Sequence, residues 1–540
     1  MLNQHSRTTP IAADSDSATI PGVLAAAARR DPSGIAGDDR SRRFTFAELD
    51  ALATRIAAAF VAAGVERGDR VAIWAPNSLD WIAAALGAQS AGASIVPLNT
   101  RFKGEEARFV LERSGARILI VASRFLGVSY PGLLAGLELP ALRRIVRLDT
   151  LEDQPGEWDR FLAQATPDHL SEAIARRAAL SPNDVSDIMF TSGTTGEPKG
   201  VVTTHGQNIR VYDIWGKAAG VRPGDRYLVL WPFFHCSGYK SGWLASLIHG
   251  VTVYPFPVLD IGKLLELVHD ARITVLPGPP TLFQALLAEP KARRAAALAS
   301  LRVSVTGATS VAPSLIARMR EELGISTVLT AYGLTETCGT VTVTDASDDP
   351  DIVATTVGRA IPGVELRVVD SLGGDLPLGE AGEVLVRGYN VMQGFYESPE
   401  ETAKVLDAAG WLRTGDVGVL DARGYLRITD RLKDMYISGG FNCYPAEIEK
   451  IMSGNPDLAQ VSVIGVADER LGEVGKAFVV PRQGTEPVPQ DIIAWCRDHM
   501  ANFKAPRYVE IVEALPVNAT GKVQKFRLDR SPRSRALGQV

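Results

Sequence analysis

Short apolar runs alternate with helical segments up to about residue 345 of this chain. Residues 45–65 carry apolar side chains at helical spacing behind Thr45, and Glu48 completes a predicted capping box. Continuous apolar runs separated by helices predict parallel sheets covered on both faces, with ligands bound at the carboxyl ends of the strands. The predicted strands are 71–76, 94–99, 118–123, 227–232, 251–256, 273–278, 303–308 and 327–333.

The pattern changes after residue 345, where apolar and polar residues alternate between glycine turns up to residue 430. This alternation predicts a small antiparallel β subdomain over about 345–430. From 431 to 540 the pattern predicts a smaller α+β unit with helices at 446–452 and 490–499 and strands near 461–466 and 477–480. We therefore predict an α/β fold: an N-terminal domain of stacked, mostly parallel sheets over 1–430, followed by a C-terminal domain over 431–540.

Composition and charge narrow the class of protein. The chain has 540 residues, 46% of them hydrophobic and 22% charged, which is typical of a globular protein. Its net charge of -5 predicts no bulk attraction to nucleic acid or to an anionic membrane. The uncharged run 81–100 contains polar residues and glycines, so we interpret it as a buried helix, a turn and a strand rather than a membrane span.

The cysteines and the N-terminus bear on the expected compartment. Cys236, Cys338, Cys443 and Cys496 lie more than 50 residues apart, a spacing that matches neither a zinc motif nor a disulfide framework. No signal peptide is visible in the first 20 residues, which are polar and mixed in charge. These features favour a cytoplasmic protein.

The most informative segment is the loop 191–200, with the sequence TSGTTGEPKG. It follows the apolar run 185–190, and a strand that opens into a loop of glycines and hydroxyls offers backbone N–H groups to an anion. Lys199 adds a positive charge, but Pro198 precedes it, so the loop is not of the Walker type. The residues predicted to hold phosphates are Thr191, Ser192, Gly193, Thr194, Thr195, Gly196 and Lys199.

This loop resembles the signature loop of the adenylate-forming superfamily, which includes acyl- and aryl-CoA synthetases. Further motifs follow in the family's order up to residue 522. The resemblance implies that a carboxylic acid and ATP form acyl-AMP and pyrophosphate, and that CoA then takes the acyl group. ATP and CoA would be co-substrates, and Mg²⁺ the metal. Because adenylation joins two anions, it requires positioned cations and oriented donors.

The resemblance assigns the nucleotide contacts to three segments. In the YGLTE motif at 332–336, Tyr332 would pack on adenine beside Gly333, Thr335 would contact the α-phosphate and Glu336 would bind magnesium. The segment 306–309 would border adenine and the carboxylate through Gly307, Ala308 and Thr309, although Thr306 stands where the family often has Gly or Ser. Asp416 would accept both ribose hydroxyls, for which a carboxylate is a suitable bidentate acceptor, and Arg431 would contact ribose.

The C-terminal motifs are expected to act in different steps. The resemblance implies that Lys433 is a hinge about which a mobile C-terminal domain rotates. Lys522 would be the catalytic lysine that bridges the carboxylate and the α-phosphate. Gly439 and Gly440 would line the tunnel for the pantetheine arm of CoA, where the absence of side chains lets a thin arm pass close to the backbone.

The acyl pocket is expected at the segment 233–239, FFHCSGY. Relatives that activate amino acids have an Asp at the position of His235, so His235 argues against an amino acid substrate and is also a candidate catalytic residue. Gly238, Tyr239 and Lys240 are the other predicted substrate contacts. The alternative interpretations are that Lys240 faces solvent and that His235 is a core histidine without a function.

A narrower resemblance is to acyl-CoA synthetases of actinobacterial steroid breakdown, which act on a bicyclic propanoate. It rests on segments such as PFFHCSGYKSG and ITDRLKDMYISGGFNCYPAE. A fatty acid is the alternative substrate. There are two competing functions. One is a standalone adenylation enzyme that loads a carrier protein, and the other is a non-catalytic nucleotide-binding relative. A homodimer is a further expectation.

Overall fold

The computed structural model describes residues 18–148, 156–191, 198–307, 313–431, 434–438, 441–468, 470–500, 502–518 and 522–531. Several predicted site residues lie outside these ranges: Ser192, Gly193, Thr194, Thr195, Gly196, Ala308, Thr309, Lys433, Gly439 and Gly440.

The helices of the described ranges begin and end as follows, in chain order: α1 (Ile20–Arg30), α2 (Phe46–Ala62), α3 (Leu79–Ser90), α4 (Gly104–Ser114), α5 (Tyr130–Leu133), α6 (Glu157–Leu162), α7 (Pro167–Ala178), α8 (His205–Ala218), α9 (Cys236–Gly238), α10 (Ala245–His249), α11 (Ile261–Asp270), α12 (Pro280–Ala288), α13 (Lys291–Ala297), α14 (Pro313–Glu321), α15 (Pro350–Thr355), α16 (Pro399–Val405), α17 (Pro445–Met452) and α18 (Pro489–His499).

The strands, in chain order, are β1 (Ile35–Asp38), β2 (Arg43–Thr45), β3 (Arg70–Trp74), β4 (Ser94–Pro97), β5 (Ile118–Val121), β6 (Arg124–Phe125), β7 (Val128–Ser129), β8 (Arg144–Arg147), β9 (Val185–Thr191), β10 (Lys199–Thr204), β11 (Arg226–Val229), β12 (Thr252–Pro255), β13 (Val303–Gly307), β14 (Thr327–Tyr332), β15 (Thr342–Val343), β16 (Arg359–Ala360), β17 (Val364–Val369), β18 (Ala381–Gly388), β19 (Gly394–Phe395), β20 (Leu412–Leu420), β21 (Leu426–Arg431), β22 (Tyr436–Ser438), β23 (Phe441–Cys443), β24 (Leu458–Asp468), β25 (Gly472–Pro481) and β26 (Tyr508–Ile511).

Local sequence signals explain how the first elements form. Thr45 Oγ1 accepts the Glu48 N–H at 3.1 Å, and Glu48 Oε2 accepts the Thr45 N–H at 2.8 Å, so the predicted capping box starts α2. The uncharged run 81–100 forms the buried part of α3, a turn and β4, as predicted.

Two stacked α/β layers form the larger part of the molecule. One sheet has the order β19-β10-β9-β4-β3-β5-β8, with parallel pairing from β9 to β8 and antiparallel pairing at the β9–β10 hairpin. The other layer contains the sheets β11-β12-β1-β2 and β13-β14-β15-β16. Most strands in these layers are parallel and buried, which confirms the predicted fold class.

The predicted strand 273–278 is only a single bridge residue, and this expectation was wrong. Val275 forms isolated parallel bridges to Tyr227 on one side and Val303 on the other, and so joins the two sheets of the second layer. Pro277 and Pro279 follow it closely in the sequence. The Leu276 and Gly278 N–H groups still donate to the Val303 and Val305 carbonyls, at 3.0 and 3.1 Å. Pro277 has no N–H to donate, so the segment cannot form the next bond towards β11.

The antiparallel elements agree with the predicted change of pattern. Strands β17, β18, β20 and β21 pair antiparallel in that order. The C-terminal unit has α17 and α18 against the sheet β23-β22-β25-β24, with β26 parallel to β25. Its buried residues form clusters of their own, separate from the main core. This separation supports the proposed division into two domains near residue 431.

Candidate active site

The predicted phosphate loop connects the two strands of a hairpin. Thr191, at the end of β9, lies opposite Lys199, at the start of β10. The Lys199 ammonium forms an ion pair with Glu401 of α16 and lies 5.3 Å from the Phe395 ring centroid. The pKa of Glu401 is lowered to about 2, first by the hydrogen bond from Lys199 and then by the hydrogen bond from Lys404. The positive charge predicted from the sequence is therefore at the exit of the loop, next to a carboxylate.

A closed polar network lies behind this hairpin. Lys240 Nζ is 3.0 Å from Asp187 Oδ1, and both side chains are 0% exposed. Thr203 Oγ1 donates to Asp187 Oδ1 at 2.8 Å, and Asn208 Nδ2 donates to Asp187 Oδ2 at 2.7 Å. Burial opposes the charge on Lys240, but the Asp187 carboxylate outweighs it and holds the pKa of Lys240 above its ordinary value. The network fixes β9, β10 and the turn after α9 to one another.

Tyr239 belongs to the same network. Its hydroxyl accepts from Gln89 Nε2 at 3.0 Å and lies 3.5 Å from Asp187 Oδ2, while its ring stacks on Trp243 at 4.8 Å. A π-helical turn, Tyr239–Leu244, follows α9, and both Tyr239 and Lys240 are fully buried there. The predicted contacts of Tyr239 and Lys240 with substrate stay predictions, and this geometry gives them no support.

His235 comes just before the buried Tyr239 and Lys240 and is the N-cap residue of α9. Its Nδ1 accepts the Ser237 backbone N–H at 3.2 Å, which places the ring proton of the neutral imidazole on Nε2. Burial, followed by the positive charge of Lys522, lowers the pKa of His235 to about 4. The ring is therefore uncharged at neutral pH. The charge of Lys522 is the second cause of this shift, which relates the C-terminal motif to the predicted acyl pocket.

Gly238 has a packing explanation. A Cβ at this position would lie 2.2 Å from the Pro232 carbonyl oxygen and 2.3 Å from that of Trp231. Asn77 holds the same segment from the other side, because its Nδ2 donates to the Trp231 carbonyl at 2.9 Å and its Oδ1 accepts the Phe233 N–H at 2.8 Å. Glycine at 238 thus allows the chain to turn tightly just after His235.

The YGLTE motif and Asp416 meet through a short hydrogen bond. Tyr332, the last residue of β14, donates its hydroxyl to Asp416 Oδ2 at 2.6 Å. Asp416 lies in β20 directly opposite Arg431 of β21 and is 3% exposed. Gly307 lies opposite Ala331, one residue before Tyr332, in the neighbouring parallel strand. The positions predicted to hold adenine and ribose therefore come from four separate strands.

The Thr335–Thr337 turn follows this cluster and connects it to the His235 segment. It is a 3-10 turn. Burial raises the pKa of the Cys236 thiol, the Lys240 charge lowers it and the Asp187 carboxylate raises it. A hydrogen bond with the Thr335 side chain lowers the same pKa, and the Glu336 carboxylate raises it. The Glu336 backbone carbonyl accepts the Met392 N–H at 2.8 Å. A Cβ on Gly333 would lie 2.4 Å from the Gly339 carbonyl oxygen, which explains that glycine by close packing.

Lys522 comes from the C-terminal unit. Its side chain is exposed, and its backbone N–H donates to Asn518 Oδ1 at 2.9 Å. The structure thus relates Lys522 to the His235 segment, Thr335 to Cys236 and Tyr332 to Asp416, which the sequence placed in separate motifs.

Sequence reasoning missed the residues that support the site. Asp187 is a charged residue inside the apolar strand β9, and that anomaly was the available signal for a buried partner. Asn77 follows the predicted strand 71–76, a position where polar side chains meet at the edge of a sheet. Cys236 lies inside the predicted pocket motif but had no assigned role.

The motif set and its geometry agree with the comparisons of the chain with known proteins. Residues 24–396 match the family model described as "AMP-binding enzyme", and residues 447–522 match "AMP-binding enzyme C-terminal domain". The chain belongs to the AMP-binding enzyme family. The family resemblance drawn from the motifs is confirmed.

Individual relatives narrow the activity. The chain is 48% identical over 513 residues to the 3-[(3aS,4S,7aS)-7a-methyl-1,5-dioxo-octahydro-1H-inden-4-yl]propanoyl:CoA ligase of Rhodococcus jostii, with 94% of this chain and 97% of that protein covered. Identity to the ligase of the same name from Mycobacterium tuberculosis is also 48%, with 95% and 99% covered. The ATP-bound MatB structure from Rhodopseudomonas palustris has a TM-score of 0.85 at 30% identity, with 94% and 98% covered.

These relationships define the enzyme class. The chain is an AMP-forming acid–thiol ligase, an ATP-dependent acyl-CoA synthetase with ATP and CoA as co-substrates. In the part of the chain that the structure describes, every helix is too short or too polar to traverse a bilayer.

Proposed function

We propose that this ligase activates a steroid-derived bicyclic propanoate and transfers it to CoA. The observation that carries this proposal is the 48% identity, over nearly the whole chain, to two ligases named for the same bicyclic propanoyl-CoA product. An uncharged His235 in the predicted acyl pocket supports it, because the substrate apart from its carboxylate carries no charge that would need a partner. A fatty acid is the substrate that the test must exclude.

In the proposed adenylation step, a carboxylate oxygen attacks the α-phosphorus of ATP, and the bond to the bridging oxygen breaks. Pyrophosphate leaves with the electron pair. Lys522 would neutralise charge between the two reacting anions, and Thr335 would donate to the α-phosphate. Thr191 and Lys199 would hold the departing phosphates. The effect of the Lys522 charge on the pKa of His235 supports these roles, since it connects the lysine to the acyl segment.

The nucleoside is proposed to lie between β14, β20 and β21. Tyr332 would pack on adenine beside Gly307 and Gly333, while Asp416 and Arg431 would bind the ribose. The 2.6 Å bond from Tyr332 supports this assignment, because it orients the Asp416 carboxylate before the ribose hydroxyls arrive.

A magnesium ion is proposed at Glu336. Mg²⁺ in phosphoryl chemistry is usually held by one or two carboxylates together with substrate phosphates and water. In the described ranges no group of three or more potential ligands could hold a metal ion by itself. A single carboxylate next to Thr335 fits an ion that arrives with ATP, and the ion would supply charge neutralisation for the phosphates.

Thioester formation would require the C-terminal domain to rotate about Lys433. The thiol of CoA would then attack the acyl carbon, AMP would leave, and the thiol proton would pass to solvent. Gly439 and Gly440 are the proposed walls of the thiol tunnel. The separate core of residues 434–531 supports a unit able to move as a body.

The proposed function is tested by measuring AMP and pyrophosphate release with CoA and a panel of acids. We expect the bicyclic propanoate to give the highest kcat/KM, above fatty and aromatic acids, and acyl-CoA to be the product. A fatty acid with the higher kcat/KM would overturn the substrate assignment. Acyl transfer to a carrier protein but not to free CoA would overturn the acceptor.

A further inference from the structure

A second fully buried lysine lies in the C-terminal unit, on a strand that was assigned no site residue. Lys476 is in the middle of β25, and its side chain is 0% exposed. Its ammonium lies 2.8 Å from Glu510 Oε2 on β26 and 3.8 Å from Asp529 Oδ2, and donates to the Ser531 carbonyl at 3.2 Å. Two of these three partners belong to the last described residues of the chain.

These partners hold the segment that follows Lys522. Asp529 also accepts the Ser531 N–H at 2.9 Å and its hydroxyl at 2.7 Å, which folds the segment into a compact turn over Lys476. Leu528, just before it, packs in a buried cluster with Phe478 and Leu515. Lys525 Nζ makes a further contact with Glu449 Oε1 at 2.8 Å.

The chain that carries Lys522 is therefore attached at both ends. It leaves the core at Leu515, and Val517 and Val523 form an antiparallel bridge. The Gln524 N–H donates to the Pro516 carbonyl at 2.7 Å. The chain then passes through the 3-10 turn Lys525–Arg527 and reaches Leu528 and the contacts of Lys476. Lys522 itself is exposed and is carried between these two attachments, so the position of its backbone depends on both of them.

We propose that Lys476 is a positioning residue for Lys522. This inference rests on the proposed role of Lys522 in adenylation. A buried ammonium must keep its partners, because a buried charge without them is strongly unfavourable. Lys476 therefore holds Asp529 and Ser531 in place, and through them fixes the position of the segment 523–528. Displacement of a catalytic group by about 1 Å can lower a rate by about 10²-fold.

The test separates the two half-reactions in Lys476→Met, a substitution of similar length without charge. We expect acid-dependent pyrophosphate exchange to fall about tenfold to a hundredfold. Conversion of supplied acyl-AMP to acyl-CoA should change less than about twofold, because Lys522 is not proposed to act there. Hydrogen exchange of the amides at 523–531 should accelerate.

Val463→Ala is the matched control for domain stability. Val463 is fully buried in the other core of the same unit, which does not contain Leu528. We expect it to destabilise the unit without a selective loss of pyrophosphate exchange. The proposal would be overturned if Val463→Ala and Lys476→Met lowered pyrophosphate exchange and thioester formation in the same ratio. The effect of Lys476→Met would then come from stability alone.

Asp529→Asn covers the case in which Lys476→Met fails to fold. Its side chain is 37% exposed, so the substitution is mild, and it should give a smaller selective loss of exchange. Asp498→Asn, an exposed change in α18, is the charge-matched control. No selective loss in Asp529→Asn would overturn the proposal.

Lys522→Ala distinguishes a failure of the proposed role of Lys522 from a failure of the positioning role of Lys476. If Lys522→Ala leaves pyrophosphate exchange intact, the proposed function of Lys522 fails. If Lys522→Ala abolishes exchange and Lys476→Met leaves it unchanged, only the positioning role fails.

Discussion

Lys240 and Lys522 were both predicted to contact substrate, and the structure gives them opposite surroundings. Lys240 is 0% exposed, lies 3.0 Å from the Asp187 carboxylate and donates to Thr203 Oγ1 at 2.9 Å. Lys522 is exposed on the C-terminal unit and influences His235 of the other unit. A buried lysine with a fixed counter-charge stabilises a scaffold, whereas an exposed lysine on a separate unit can enter and leave a site.

The largest expected effect is on stability in Lys240→Met. Loss of the ammonium leaves the buried Asp187 carboxylate without its counter-charge, which typically costs about 3–5 kcal/mol. Urea unfolding should show this loss. Lys217→Met is the control, because Lys217 is an exposed lysine paired with Asp213 and should change stability by less than about 1 kcal/mol.

The same variant tests the alternative role of Lys240. If Lys240→Met keeps the stability of the parent but changes the order of kcat/KM among the acids, Lys240 contacts substrate. The contrast between a scaffold lysine at 240 and a site lysine at 522 would then be wrong. Lys240→Met with Asp187→Leu should recover part of the lost stability, since removal of both charges is far less costly than removal of one.

Lys522→Ala is expected to leave stability unchanged and to slow adenylation. Loss of one preorganised donor typically lowers the rate about 10²–10³-fold. Acid-dependent pyrophosphate exchange measures this step, and Lys450→Ala is a control lysine on the same unit. Supplied acyl-AMP should still become acyl-CoA at nearly the parent rate.

Gly439→Leu is expected to show the reverse pattern, with exchange retained and thioester formation slowed, because a side chain there would obstruct the thiol. Equal slowing of both steps in Lys522→Ala would contradict the two-conformation scheme.

Asp416→Ala should chiefly weaken ATP binding. It loses charge-assisted bonds to the ribose hydroxyls, a loss of about 1.5–3 kcal/mol. Tyr332→Phe should have a smaller effect, because it removes only the hydroxyl that orients Asp416. Calorimetric titration with ATP measures both, and Asp375→Ala, an exposed carboxylate, should not differ from the parent. Unchanged affinity in Asp416→Ala would make Asp416 a structural residue.

The smallest effect concerns the charge state of His235. Lys522→Ala removes a positive charge, so the pKa of His235 should rise from about 4 while burial still keeps it below its ordinary value of 6.5. NMR of ¹³C-labelled histidine measures this shift, with His235→Gln to assign the signal. No shift would mean that Lys522 does not approach the acyl segment in solution.

The direction of the pH effect on stability follows from the same shift. The folded-state pKa of His235 lies below that of the unfolded chain, so the unfolded state binds the proton first as the pH falls. The contribution of neutral His235 is complete above about pH 6.5 and is lost between pH 6.5 and 4. The buried His205, whose pKa burial also lowers to about 4, acts in the same direction.

Elements and motifs with a local signal could be predicted from the sequence alone. The capping box of α2, the antiparallel pattern of β17 to β21 and both helices of the C-terminal unit follow from spacing between near neighbours. The family resemblance came from motifs such as the loop 191–200 and the segment 332–336, whose chemistry lies in contiguous residues.

Only the tertiary structure decided which charged residues are buried and which partners they have. Lys240 meets Asp187 and Lys476 meets Glu510 across long stretches of chain, and neither pairing follows from periodicity. Val275 likewise forms only isolated bridges, although its apolar surroundings in the sequence predict a strand, because prolines lie nearby and the packing of the sheets limits the pairing. The physical reason is that side-chain burial depends on every element packed around it, whereas a local pattern determines only the element to which the residue belongs.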